Sequence, residues 1–123
     1  TDITQPSIVK PNDSKIYSHH SLLHREDVTC DVTTSFIENK QPCFKVSFVS
    51  KYLKPFLESN KLFLKSGWGI DVWWSNVSKS KCLINTVVIK EVTDSTNKND
   101  NSIGKREMKY YLKKYKLKLS VLT

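Results

Sequence analysis

Gly104-Lys-Arg-Glu-Met-Lys-Tyr-Tyr-Leu-Lys-Lys-Tyr-Lys-Leu-Lys-Leu-Ser-Val121 changes its hydrophobic period partway along. Met108, Tyr111, Leu112 and Tyr115 stand at i, i+3, i+4 and i+7, the spacing of one helix face. From Tyr115 the apolar residues fall on alternate positions, Leu117, Leu119 and Val121, with Lys116, Lys118 and Ser120 between them, the pattern of a half-buried strand. The stretch therefore predicts a helix running directly into a strand. Tyr110 lies off the apolar face, so its ring is left for water or for a ligand. Three tyrosines and five lysines between Lys109 and Lys118 make a surface that can stack on bases and neutralise phosphates.

Upstream, the apolar pattern shortens to strand length. Ile70, Val72 and Trp74 alternate with Asp71 and Trp73, and Leu83 to Val92 is rich in β-branched residues. The two read as strands joined in a hairpin across the polar Ser75–Ser80 link. Thr93–Ser102 has nothing to bury and reads as a mobile loop. Further back, Pro55 fits the first turn of a helix carrying Phe56, Leu57, Phe63 and Leu64 and ending at Gly67. Phe44, Val46 and Phe48 give a strand or, second, the lead-in to a helix. Val28, Cys30 and Val32 give another strand, ending at the turn residues Glu38–Pro42. Ile16–Arg25 reads as a short helix. Residues 1–15, with Pro6 and Pro11 and no period, read as a flexible N-terminal arm. Residues 16–123 form a single α+β domain.

The chain of 123 residues is long enough for one core and too short for two. Its formal net charge of +8 favours a polyanionic partner. No run approaches a membrane span and no leader pattern opens the chain, so a cytoplasmic or nuclear location is expected, with no membrane partner. Cys30, Cys43 and Cys82 lack metal-ligand spacing and read as buried free thiols, and His19, His20 and His24 lack the acidic neighbour of a zinc-protease motif. Neither a metal nor a cofactor is expected. Nor is catalysis, because no nucleophile triad, phosphate-cradling glycine loop or close carboxylate pair is visible.

Three motifs together resemble the PAZ domain of Argonaute, Piwi and Dicer proteins. They are Gly-Trp-Gly-Ile-Asp-Val-Trp-Trp (Gly67–Trp74), Lys-Ser-Lys-Cys-Leu-Ile (Lys79–Ile84) and Met-Lys-Tyr-Tyr-Leu-Lys-Lys-Tyr-Lys-Leu-Lys-Leu (Met108–Leu119). The resemblance covers about residues 55–119. It implies an OB-like small β-barrel with an appended α/β module, gripping the 3′ end of a single-stranded small RNA or a 3′ overhang, as part of a larger RNA-silencing protein. By position, it puts Trp74 near the terminal nucleotide and Tyr110 and Tyr115 on the terminal phosphate and sugar. Lys79, Lys81 and Lys114 fall in its basic surround. With the neighbouring Tyr111 and Lys116, these make the candidate RNA-binding set.

The chain departs from that family in three ways. Cys82 stands where an aromatic is usual, the 93–102 tract is polar, and the family's following Pro-containing strand is missing, as in a domain cut short at its C-terminus. As an isolated domain a monomer is expected.

Other readings of the same residues stand beside this one. Trp68, Trp73 and Trp74 suit core or surface packing better than stacking, and adjacent Trp73 and Trp74 in a strand would face opposite ways. Lys113, Lys114, Lys116 and Lys118 suit a solvated face. A protein-interaction module for acidic or phosphorylated peptides is the rival function, made less apt by having only Arg25 and Arg106 as arginines.

Overall fold

Ile3, Ile8, Gln5 and Ser7 are all buried, although the segment that carries them is half polar and contains a proline. A computed structural model of the protein describes residues 1–9, 19–26, 31–90 and 101–123. In it the expected N-terminal arm begins with a strand, β1 (Ile3–Val9). Its polar side chains are satisfied inside. Gln5 Oε1 accepts the Glu38 N–H at 2.8 Å, and Ser7 Oγ donates to the Val87 carbonyl at 3.1 Å. Pro6 is tolerated because β3 (Cys43–Phe44) pairs only with Ile3 and Thr4, so no neighbour on that side needs the missing N–H.

A mixed α+β architecture follows. β1 lies parallel to β4 (Lys81–Lys90), which on its other side runs antiparallel to β2 (Val32–Thr33), giving the order β2-β4-β1-β3. The sheet is open, with β2 and β3 as two-residue edges. The β1–β4 register shifts between Pro6 and Ser7, and buried Asn85 lies in that irregular stretch. Its amide accepts the Arg25 N–H at 3.0 Å and donates to the Arg25 carbonyl at 2.8 Å, as a strand neighbour would.

Where the expected second strand runs on past Phe44, the chain turns helical. α1 (Val46–Phe48), a π turn (Val49–Leu53) and α2 (Lys54–Asn60) form one continuous rod. The expected start at Pro55 is therefore nine residues late. A proline inside a helix removes one backbone donor and crowds the carbonyl four residues back. The wider π turn lies where that crowding falls. The rod ends at Asn60, whose carbonyl takes the N–H groups of Phe63 and Leu64, so Gly67 does not terminate it.

The largest correction concerns Ile70–Trp74. It belongs to a helix, α3 (Ile70–Val77), so no hairpin joins it to β4. Ile70, Trp73, Trp74 and Val77 also satisfy the helical spacing, and the five residues Ile70–Trp74, four of them apolar, are too short to separate that spacing from alternation. Burial explains the pattern. Ile70, Trp73 and Trp74 enter one core cluster with Ile3, Ile37, Phe48, Phe56 and Tyr111, while Val72 enters a second with Ile8, Leu22, Phe36 and Leu83. Gly69 caps α3 at φ 90°, and a Cβ there would lie 2.9 Å from the Met108 backbone, so both conformation and close approach require glycine.

α4 (Ser102–Lys114) buries Tyr111 and half-buries Met108 and Leu112, the face its sequence indicated. The expected strand after it does not form. Lys116 takes φ 51°, and the Leu117 N–H returns to the Leu112 carbonyl at 3.1 Å, a Schellman-type stop with lysine where glycine is usual. Leu119–Leu122 then makes a 3-10 turn. Asn76 takes the place of a strand neighbour, accepting the Lys118 N–H at 2.9 Å and donating to its carbonyl at 3.1 Å.

Of the expected Ile16–Arg25 helix, the described part is a 3-10 turn, His20–Leu22. Residues 27–30, with Cys30 and most of the expected Val28–Val32 strand, lie outside the described residues, as do 93–100 of the expected loop, whereas Ser102 opens α4. Against the expectation of buried thiols, Cys43 is exposed and Cys82 only half-buried. Among the described residues, no helix is long and apolar enough to cross a membrane.

Candidate nucleic-acid interface

Glu107 fixes the position of the site. It projects from α4 into the Lys65–Gly67 loop, accepting the N–H groups of Lys65, Ser66 and Gly67 at 3.1, 2.8 and 3.1 Å and the Ser66 hydroxyl at 2.9 Å. Burial alone would raise its pKa, but these donors outweigh it and hold the carboxyl below the usual glutamate value. The loop is thereby tied to α4, and the Leu62–Phe63 turn just before it is presented beside Tyr110.

Phe63 and Tyr110 stack with ring centroids 4.5 Å apart and planes 21° from parallel. Phe63 is 49% exposed and Tyr110 partly so. They border a cleft of about 210 Å³ lined also by Leu62, Lys65, Ile103, Arg106 and Glu107. One helical turn on, the Lys114 ammonium lies 5.3 Å from the ring centroids of both Tyr110 and Tyr115 and donates to Asn60 Oδ1 at 2.9 Å. Asn60 Nδ2 in turn donates to the Tyr115 hydroxyl at 2.7 Å. The Tyr110 phenol first, and then Tyr115, hold the Lys114 pKa above the usual lysine value. Tyr110, Lys114 and Tyr115 thus converge beside an exposed stacking pair.

The other candidates lie elsewhere. Trp74 is 3% exposed, packs edge-on against Phe44 at 5.0 Å and donates Nε1–H to the Ile37 carbonyl at 2.7 Å, so it is a core residue with its one polar atom satisfied. Tyr111 is fully buried. Burial first, and then the Glu107 carboxylate 3.4 Å from its hydroxyl, push that phenol well above its ordinary value. Lys81 donates to the Ser75 and Ser78 carbonyls at the C-terminus of α3, and burial lowers its pKa, so it staples a helix end. Lys79 lines a separate cleft with Asp2, Ser47, Phe48, Lys51, Tyr52 and Val77. Lys116 is exposed just past α4.

Sequence reasoning placed Phe63 inside a helix and overlooked Asn60, Lys65 and Arg106. The available signal was the apolar run Leu62-Phe63-Leu64 set between Lys61 and Lys65, with Phe63 seven residues after Phe56.

A larger cleft of about 530 Å³ gathers His19, Glu38, Lys40, Trp68 and Asp71, but its charges are engaged within the fold. Glu38 and Lys40 pair at 3.6 Å. Asp71 accepts the Asn39 and Val72 N–H groups at 3.2 and 2.9 Å, and burial still holds its carboxyl above the ordinary value. The His19 ring packs on Phe36 at 4.4 Å. Trp68 is an exposed ring there, but the neighbouring Lys40 is paired with Glu38, whereas the Tyr110 side sets its rings beside Lys65, Arg106 and Lys114. No protein-family model, curated protein or solved structure matches the chain.

Proposed function

We propose that this chain binds single-stranded RNA, stacking an unpaired base on the Phe63–Tyr110 pair and holding the neighbouring phosphate at Lys114. The supporting observation is the half-exposed ring stack beside an ammonium shared by two tyrosines. Base-on-aromatic stacking contributes about 1–3 kcal/mol per base and tolerates any sequence, because every base has a π face. Arg106 and Lys65 at the cleft, with exposed Lys109 and Lys113 on α4, add phosphate neutralisation. The Tyr110 and Tyr115 hydroxyls can meet a ribose 2′-hydroxyl, the group that separates RNA from DNA.

Gripping of the 3′ end, and membership in a silencing protein, belong to the same proposal and come from the PAZ resemblance, now without Trp74 as a wall of the pocket. Its OB-like barrel would require a β2–β3 contact that the four described strands do not make. The test is a titration of free-ended and circularised RNA of one sequence, with a phosphopeptide as competitor. Tighter binding of the free-ended form supports the end-gripping reading. Equal binding of the two leaves an RNA groove without an end pocket. Displacement by the phosphopeptide with no measurable RNA affinity would replace the proposal with the acidic-peptide reading.

A further inference from the structure

The first ring station has a counterpart at the other end of the same rod. Lys51 Nζ lies 5.2 Å from the Tyr52 ring centroid, nearly the distance at which Lys114 lies over Tyr110. Tyr52 is 36% exposed, its ring leaning on Phe48 at 5.3 Å. Lys51, Tyr52 and Lys79 line a cleft of about 370 Å³ in which the facing acid is Asp2. That carboxylate accepts the Ser78 hydroxyl at 3.1 Å and lies in the field of Lys81, which leaves the exposed Lys51 and Lys79 as the cations that a phosphate would meet.

Tyr52, Phe56 and Asn60 follow one another at intervals of four, one row along the rod, and Phe63 follows in the turn whose N–H closes on the Asn60 carbonyl. The middle of the row is roofed by Tyr115, 5.5 Å from Phe56, and by Lys114 on Asn60. Rings and lysines therefore recur along one edge: Lys51–Tyr52, then Tyr115–Lys114, then Tyr110–Phe63. Tyr52 to Asn60 spans about 12 Å at 1.5 Å per residue, a length that about four stacked nucleotides cover at 3.4 Å each.

We infer that the RNA strand does not end its contact at Tyr110 but runs along this edge, across Lys114, to a second station made by Lys51, Tyr52 and Lys79. The inference rests on the RNA reading above and adds a footprint and a second anchor to it. A trinucleotide reaches one station; a hexanucleotide reaches both.

The test titrates fluorescein-labelled oligouridylates, a trinucleotide, a hexanucleotide and a nonanucleotide, into the wild type and the Lys51→Gln/Lys79→Gln double variant at two salt concentrations. Both lysines are exposed, so the double variant should melt like the wild type. Wild-type affinity should rise about tenfold or more from trinucleotide to hexanucleotide, the equivalent of one further stacked base. The double variant keeps the Tyr52 ring, so it should show a smaller rise, bind the trinucleotide unchanged, and show a salt slope for the longer oligomers shallower by about 1.4, two phosphate contacts at about 0.7 each. A double variant with the wild-type length dependence and salt slope overturns the second station while leaving the first intact. Loss of trinucleotide binding in the double variant also overturns it, because the first station lies at the far end of the rod. If the wild type binds none of the oligomers, the RNA reading itself falls and the second station with it.

Discussion

Trp74 and Tyr110 show how one residue type divides between core and surface. Both are aromatic, both were expected from sequence to contact RNA, and only the neighbours decide between them. Trp74 has its indole N–H on the Ile37 carbonyl and its faces against core residues, so Trp74→Ala should cost about 3–5 kcal/mol of stability. Urea denaturation would measure it. A variant as stable as the wild type but weaker in RNA binding would return Trp74 to the site. Glu107 supplies a pH signature. A carboxyl whose folded pKa is depressed contributes stability above its unfolded pKa and loses it as pH falls through the folded value. Glu107→Gln should therefore cost about 2–4 kcal/mol at neutral pH, and the gap from wild type should close as pH falls below the ordinary value of 4.5. Asp71, held above its ordinary value by burial, acts in the opposite sense in wild type and variant alike, so it cancels from the difference. A gap that stays constant across pH would contradict the Glu107 account.

At the scale of elements, what the sequence made legible follows what each pattern can distinguish. The inner face of α4 was readable because a helix spacing held there with lysines on the outer side. β4 was readable from its β-branched run. β1 was hidden because Gln5, Ser7 and Pro6 look like loop chemistry until Glu38 and Val87 are known to satisfy the first two. α3 was misread because alternation was taken over Ile70–Trp74 alone, where four of five residues are apolar and both spacings fit, while Ser75, Asn76 and Val77, which complete the helical pattern, were assigned to a loop. The strand expected after Tyr115 met a rule that period cannot show. An extended segment needs a ladder partner, and Asn76 fills that role with one side chain while Lys116 turns the chain away. Because Lys116 holds a left-handed conformation that glycine adopts without strain, Lys116→Gly should raise stability by about 0.5–1 kcal/mol, net of the entropy glycine adds to the unfolded chain. Thermal melting would check this. Lower stability would mean that the Lys116 side chain makes contacts that outweigh the strain.

The whole molecule is a small open sheet and a helical layer, with net charge +8 and exposed cations along the rod and α4. Of the candidate site, sequence placed Tyr110, Lys114 and Tyr115 on a helix end, and the fold brings them together. It could not place Phe63 beside them, because that contact depends on Glu107 reaching across about 40 residues of chain to tie down the Lys65–Gly67 loop. Nor could it separate Lys79 and Lys81, two residues apart, one lining an open cleft and the other engaged on carbonyls. Charge and rings contribute differently to binding, and that difference is measurable. Labelled single-stranded RNA should be titrated into the wild type and into Phe63→Ala/Tyr110→Ala at two salt concentrations, with melting curves to establish that both are folded. The variant should lose about 1–3 kcal/mol of binding for each stacked base while keeping the wild-type salt slope, because its lysines remain. A folded variant that binds RNA as tightly as the wild type would contradict the stacking role of the two rings.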